Sequence, residues 1–293
     1  MWEKYGLENT CFYRISSAKA DIHIVRRFTR KVTMRNLANI GFEAHSLEEF
    51  QALAEMVYRK GKAFRAGRNQ YYCFQDPSGG ELWVQIDSDE QIAGMNCHFH
   101  STNAIEVELL HAQGYEERPL DGTFEARALH ADAGTPASAP HPVFAFDLPD
   151  AHLVPHVTLP AKASVQLVGF ARDVHVYENV EDYRKAHPGK PLEGLRPIEQ
   201  DRAHTQRISS LMRLDGIVVH AAHKRNHRTQ QEFYWLEIKT VFGNMDVVVA
   251  NRSLPFVPQQ GQVFDGEVRL TGRVQIKDGH TQKPGLIERM FWG

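Results

Sequence analysis

The sequence predicts an α+β chain in two parts: an N-terminal domain over 1–130 that runs strand, helix, further strands, and a mainly antiparallel β domain over 143–293. Three observations carry this reading. Only LEEFQALAEMVYRK combines a helical apolar period with a capping residue and a terminal glycine, so the first part has one substantial helix. Nearly every apolar segment after residue 143 is β-branched, aromatic or alternating, as half-buried strands require. Between them ADAGTPASAPHP, at 131–142, has no hydrophobic period and reads as a linker.

Taken in chain order, DIHIVRRF and NLANIGFEA read as strands, the second running into the helix from about Leu47 to Lys60. Ser46 caps this helix, with Glu49 three residues on reaching back to the capping residue's amide. Leu47, Phe50, Leu53, Ala54 and Val57 share one face, and Gly61 ends it. YYCFQ, ELWVQID, MNCHFHS and IEVELL continue as strands, with DPSGG a tight turn. RKGKAFRAGR reads as a solvated basic loop at the helix end, where cations suit the negative dipole pole. In the second part VFAFDL, SVQLVGFARDVHVY, MRLDGIVVHAAH, EFYWLEIKTVF, MDVVVA and VFDGEVRLTGRVQ read as strands, VEDYRKA as a short helix, and 187–206 as a long polar loop. No repeat of fixed period stands out.

Composition narrows the function classes. With 293 residues the chain can bury a large core, and its net charge of −2 supplies no global field for nucleic acid or an anionic membrane. Cys11, Cys73 and Cys97 are three thiols without CxxC spacing, which disfavours a disulfide framework or a thiolate zinc site and fits a reducing compartment. The first residues carry no apolar segment behind a basic start and no apolar run reaches membrane length, so a soluble cytoplasmic protein is expected. There is no nucleotide-binding glycine loop, nucleophile elbow or His-Glu-x-x-His helix.

From Asn39 to about His100, LANIGFEA, the helix opening SLEEF, the glycine at its end and YYCFQDPSGGELWVQ resemble one βαβββ module of the vicinal oxygen chelate superfamily, the glyoxalase and bleomycin-resistance type. The likeness covers about a fifth of the chain. It implies a cup whose metal-dependent versions hold their ion through a histidine in the first strand and a glutamate after the turn. Here those positions fall on Asn39 and Trp83, so the resemblance implies a pocket without the family's ligand pair, lined by Asn39, Glu43, Glu81, Trp83, Gln85, His98 and His100. Glu81 lies two residues early, which places it at the rim rather than the floor. Such modules work in pairs, so a homodimer closing two half-cups is expected.

Residues 211–275 are similar to an oligonucleotide/oligosaccharide-binding (OB) barrel: a long first strand, a paired second and third, and a closing strand, with Gly216, Gly266 and Gly272 inside strands where a small barrel bends. HAAHKRNHR brings Lys224, Arg225 and Arg228 to the loop after the first barrel strand, where single-strand binders hold phosphates. Phe233 and Trp235 take one strand face and Tyr234 the other, so part of this aromatic run is core.

Three readings follow. The first is a non-catalytic binding or interaction protein without cofactor, its partner a small molecule or protein. The second is a metal-dependent enzyme with a rearranged site, a divalent transition metal held by His98, His100 and Glu106. The third is single-stranded nucleic-acid binding through Lys224, Arg225 and Arg228.

Overall fold

A computed structural model describes residues 13–17, 20–24, 35–116, 120–129, 142–198 and 208–276. Cys11, residues 25–28 of the first expected strand, 131–141 of the linker and 199–206 of the polar loop lie outside them. The described residues are sheet-rich with few helices, within the expected α+β class.

Strands β1 (Tyr13–Ser17) and β2 (Ala20–Ile24) form a hairpin. The next expected strand, NLANIGFEA, is instead a 3-10 turn at Ala38–Ile40 closed by Gly41 with φ +72°. Its apolar residues do go inward, but as a buried turn: a Cβ on Gly41 would lie 2.6 Å from that of Asn226, so a close-packed loop replaces the extended backbone.

Helix α1 (Leu47–Lys60) has the predicted bounds. Ser46 Oγ accepts from Glu49 N at 3.2 Å, while the Glu49 carboxylate accepts from His45 N at 2.7 Å, one residue before the amide expected. Gly61 ends the helix at φ −75°, so no left-handed cap is involved; a Cβ there would meet Val57 O at 2.6 Å. The basic stretch after it is not loop but strand β3 (Lys62–Ala66), whose alternation turns Phe64 onto the Trp83 ring 5.4 Å away. β3, β4 (Asn69–Gln75), β5 (Gly80–Ile86) and β6 (Ile92–Phe99) form a four-stranded antiparallel sheet in sequence order.

The remaining strands make one nine-stranded sheet: β7 (Ile105–Gly114), β8 (Gly122–Ala128), β9 (Val143–Leu148), β10 (Ala161–Tyr177), then, after helix α2 (Val180–Ala186), β11 (Leu195–Pro197), β12 (Leu211–Arg225), β13 (Glu232–Thr240), β14 (Gly243–Ala250) and β15 (Val263–Ile276). β11 lies within the stretch read as loop. β10 and β15 run antiparallel from Ala163 opposite Ile276 to Tyr177 opposite Val263, and each serves two rings. The start of β10 pairs with β7 and the end of β15 with β9, closing β7-β8-β9-β15-β10. The middle of β10 pairs in parallel with β14 and the start of β15 with β12, closing β12-β13-β14-β10-β15. Each ring is a three-strand meander followed by a 3-10 turn, at Ala151–Leu153 or Asn251–Ser253, and a long strand. The chain thus repeats its topology without a fixed sequence period. Val168–Phe170 of β10 are paired on both sides, with β14 and with β15.

The two sheets part between β6 and β7, not at 131–142, since β8 and β9 pair across that segment. One apolar core fills both rings, with Phe144, Phe146, Leu236 and Val247 in it. A second lies between α1, one face of the four-stranded sheet and the outer face of the second ring, where Phe50 and Val57 share a cluster with Leu82, Val168, Phe233 and Val248.

Candidate ligand-binding site

Period-two alternation gives the four-stranded sheet two faces. Leu82, Val84, Met95, Cys97 and Phe99 point to α1 and the second ring. Tyr71, Glu81, Trp83, Gln85 and His98 share the other face, and all are buried. What covers that face is the first ring. The Arg273 guanidinium lies 4.9 Å from the Trp83 ring centre, Trp83 Nε1 donates to Glu81 at 2.9 Å, and Gln85 Nε2 donates to Asp121 at 2.8 Å. Tyr71 OH donates to Leu120 O at 2.9 Å, and His98 Nδ1 is 2.8 Å from Thr271 Oγ1. Packed side chains occupy the concavity at Trp83.

Glu81, expected at a rim, is 2% exposed. Burial raises its pKa, against the Trp83 N–H, the positive charge of Arg273 and the neighbouring His100 ring, which lower it. Burial, then Arg273 and His100, push the His98 imidazole down to about 3, so it is neutral at ordinary pH. His98 and His100 part company: His98 is sealed in the sheet interface, while His100 is exposed beyond the strand end, 3.8 Å from Glu81. Glu106 sits on β7 opposite Ser164. Among the described residues no three His, Cys, Asp or Glu side chains gather in a group that could hold a metal. Asn39 is a structural bracket, its Nδ2 donating to Ala171 O at 3.0 Å and its Oδ1 accepting from Ala250 N at 2.8 Å. Glu43 faces outward to His45 at 3.3 Å and Arg252 at 3.8 Å.

The raised Glu81 pKa has a measurable sign. Folded protein keeps a proton that the unfolded chain, with a value near 4.5, has already released, so stability present below that value is lost as pH rises through the folded pKa. Glu81→Gln keeps an acceptor for the Trp83 N–H and removes the ionisation. Urea denaturation from pH 4 upward is expected to show wild type losing stability relative to the variant; parallel pH profiles would contradict the raised pKa.

An open cleft of about 440 Å³ lies elsewhere, between the β4–β5 turn, the end of β6 and the outer face of the second ring. Asp76 builds one wall. Its carboxylate accepts from Ser78 N at 2.9 Å, His227 N at 3.0 Å and Arg228 N at 3.2 Å, tying the turn to the β12–β13 loop. Burial alone would raise its pKa, but these bonds outweigh it and hold the carboxyl below its usual value. Asn226 Nδ2 donates to Ile40 O at 3.0 Å and completes the clasp.

Alternation on three adjacent strands supplies the floor: Lys224 on β12, Trp235 on β13 and Asp246 on β14. Lys224 Nζ donates to Ser78 O at 3.1 Å and lies 5.5 Å from the Phe99 ring centre and 5.4 Å from that of Trp235. Burial lowers its pKa, opposed by Asp246. Asp246 accepts from Asn103 Nδ2 at 2.9 Å, and burial raises its pKa. His220 tilts against Trp235 with ring centres 5.5 Å apart. Of the residues the sequence suggested, His100 and Lys224 line this cleft. Arg225 is paired with Glu232 at 2.6 Å, and Arg228 contributes its backbone to the clasp while its side chain is exposed. Phe99 and Asp246 were not proposed as site residues, and Trp235 stood only within the aromatic run at 233–235; the common face of Trp235 and Lys224 could have been read only with the β12–β13 register known.

Among the described residues no helix is long and apolar enough to cross a membrane. No family model, curated protein or solved structure matches this chain.

Proposed function

We propose that this chain is a non-catalytic binding protein whose ligand occupies the cleft over Lys224, Trp235 and Asp246, and that the ligand carries a ring and an anionic group. The observation that carries the reading is one ammonium held between two aromatic rings at the floor of an open cleft of about 440 Å³. A flat ring stacks on an indole, and an anion finds a cation already fixed by Ser78 O. We read the second ring as an OB-type barrel with β10 in the fifth-strand position: β14 and β10 are parallel, as are the third and fifth strands of such barrels, and β15 pairs with both β10 and β12. OB barrels bind on the face of strands two and three beside the loop after strand one, the position of Trp235, Asp246 and the 226–231 loop here.

The test is a fluorescence titration with 8-anilinonaphthalene-1-sulfonate, an aromatic anion, on wild type, Lys224→Gln and Trp235→Ala. One saturable site weakened about tenfold or more by either change is expected, the loss of roughly one charge-assisted contact. Equal binding in all three proteins would reject the cleft. A parallel titration with a mixed-sequence single-stranded oligonucleotide addresses the nucleic-acid reading: binding that falls steeply with salt and with Arg228→Gln would make nucleic acid the ligand class.

A further inference from the structure

Three arginines that do not line the cleft mark a second site. Along the β10–β15 ladder the register jumps between Ala171, opposite Val268, and Asp173, opposite Glu267, leaving Arg172 as the extra residue of a bulge. A bulge re-aims the side chain it carries. Arg269 sits beside it on β15, opposite Phe170, and Arg35 precedes the 3-10 turn at Ala38–Ile40, which Asn39 ties to the bulge by donating to Ala171 O at 3.0 Å. We propose that Arg35, Arg172 and Arg269 form a binding site for a phosphate-type oxyanion, free or carried as the phosphoryl group of a nucleotide.

The hydrogen-bond accounting points the same way. Arg269 Nη1 donates to Asp147 at 3.2 Å and to Ser210 Oγ at 2.8 Å, but its Nε–H is sealed from water without an acceptor. Arg172 Nε–H is also sealed and unpartnered, and among the described residues Arg172 has no hydrogen bond or ion pair at all. Buried donors without acceptors are uncommon enough to require a cause, and a role in binding an anion is one. Asp147 brings a single negative charge against three guanidinium groups, and its oxygens also accept from Thr123 at 2.7 Å and Ser210 at 2.6 Å, which leaves little acceptor capacity for further N–H groups. Burial lowers the Arg172 pKa, then the like charges of Arg269 and Arg35 lower it further, with Glu267 opposing. Guanidinium groups gathered with too few carboxylates suit a tetrahedral dianion, whose oxygens accept from several N–H groups at once.

Calorimetric titration of the full chain with inorganic phosphate, and separately with adenosine monophosphate, at ionic strength matched with chloride, tests this. One site is expected, weakened about tenfold or more by Arg172→Gln and by Arg35→Gln, and unchanged in Lys224→Gln. Tighter binding of phosphate alone assigns a free anion; tighter binding of the nucleotide assigns a phosphoryl group. Without added oxyanion, Arg172→Gln is expected to raise Tm, because it relieves like-charge repulsion, whereas a purely structural arginine would lower it. Absence of binding to wild type, undiminished binding in both arginine variants, or loss of binding in Lys224→Gln overturns the proposal.

Discussion

Asp215→Ala is expected to lower the free energy of unfolding by about 3–5 kcal/mol, in the range seen when one partner of a buried charge pair is removed. Asp215 is fully buried on β12, and its carboxylate organises the whole segment over that end of the second ring. One oxygen accepts from Glu193 N at 2.8 Å and Gly194 N at 2.9 Å; the other accepts from Tyr183 OH at 3.2 Å and from the Arg196 guanidinium. Alanine would leave a half-buried cation, a buried phenol and two backbone N–H groups without their acceptor. The neighbouring carboxylate cannot substitute. Asp265, opposite Asp215 in the ladder, is committed to a two-point bond with Arg213 at 3.0 and 2.8 Å and lies 3.3 Å from His187. Urea denaturation gives the loss in stability, and amide exchange locates it, with protection lost first at residues 193 and 194. A change under about 1 kcal/mol would mean the cluster is replaceable by water.

Elements whose signals are local were legible in the sequence. Helix α1 needed only Ser46, an apolar period and Gly61, all within sixteen consecutive residues. The strands of the second half were legible as strands for the same reason, since alternation is a property of each segment alone. Their partners were not. A period of two says which residues share a face but not which strand lies alongside, and β10, at seventeen residues, gives its first part to one ring and its middle to the other. Pairing Val168–Phe170 with Asp246–Val248 closes a ring across most of the second half of the chain, and nothing near either segment announces it.

The site follows the same division. That Glu81, Trp83, Gln85 and His98 share a face was readable from alternation, but Thr271 and Arg273, which fill that face, come from the far end of the described chain. Asn39 was read as a pocket residue on a strand, at the position where the resembled family holds a histidine. Its work is non-local, joining Ala171 and Ala250 through two hydrogen bonds. Lys224 was legible as one cation among several, and only the fold separates it from Arg225, since the bulge between Val218 and His220 and the register with β13 set which side chain turns into the cleft.

Phe233→Ala is expected to cost about 3–5 kcal/mol and to do so in both sheets at once. Phe233 is fully buried on the outer face of β13, edge-on to Phe99 of β6 at 6.2 Å, within the core that also contains Phe50 and Val57 of α1. The cavity left by its ring would open between the second ring and the four-stranded layer, so neither side could collapse onto it without pulling away from the other. The Asp76 clasp to the 226–231 loop joins the same two layers by hydrogen bonds. One cooperative unit is the consequence. Hydrogen exchange followed by mass spectrometry should show α1 and β14 losing the same increment of protection in the variant, and urea unfolding should remain a single transition with a lower midpoint and unchanged slope. If the stretch before β7 were a separately folding domain, α1 would open at its own lower free energy and only one of two transitions would move. Because Trp235 lies two residues along the same strand, the truncation also reaches the cleft floor, and ligand affinity should fall with stability rather than independently of it.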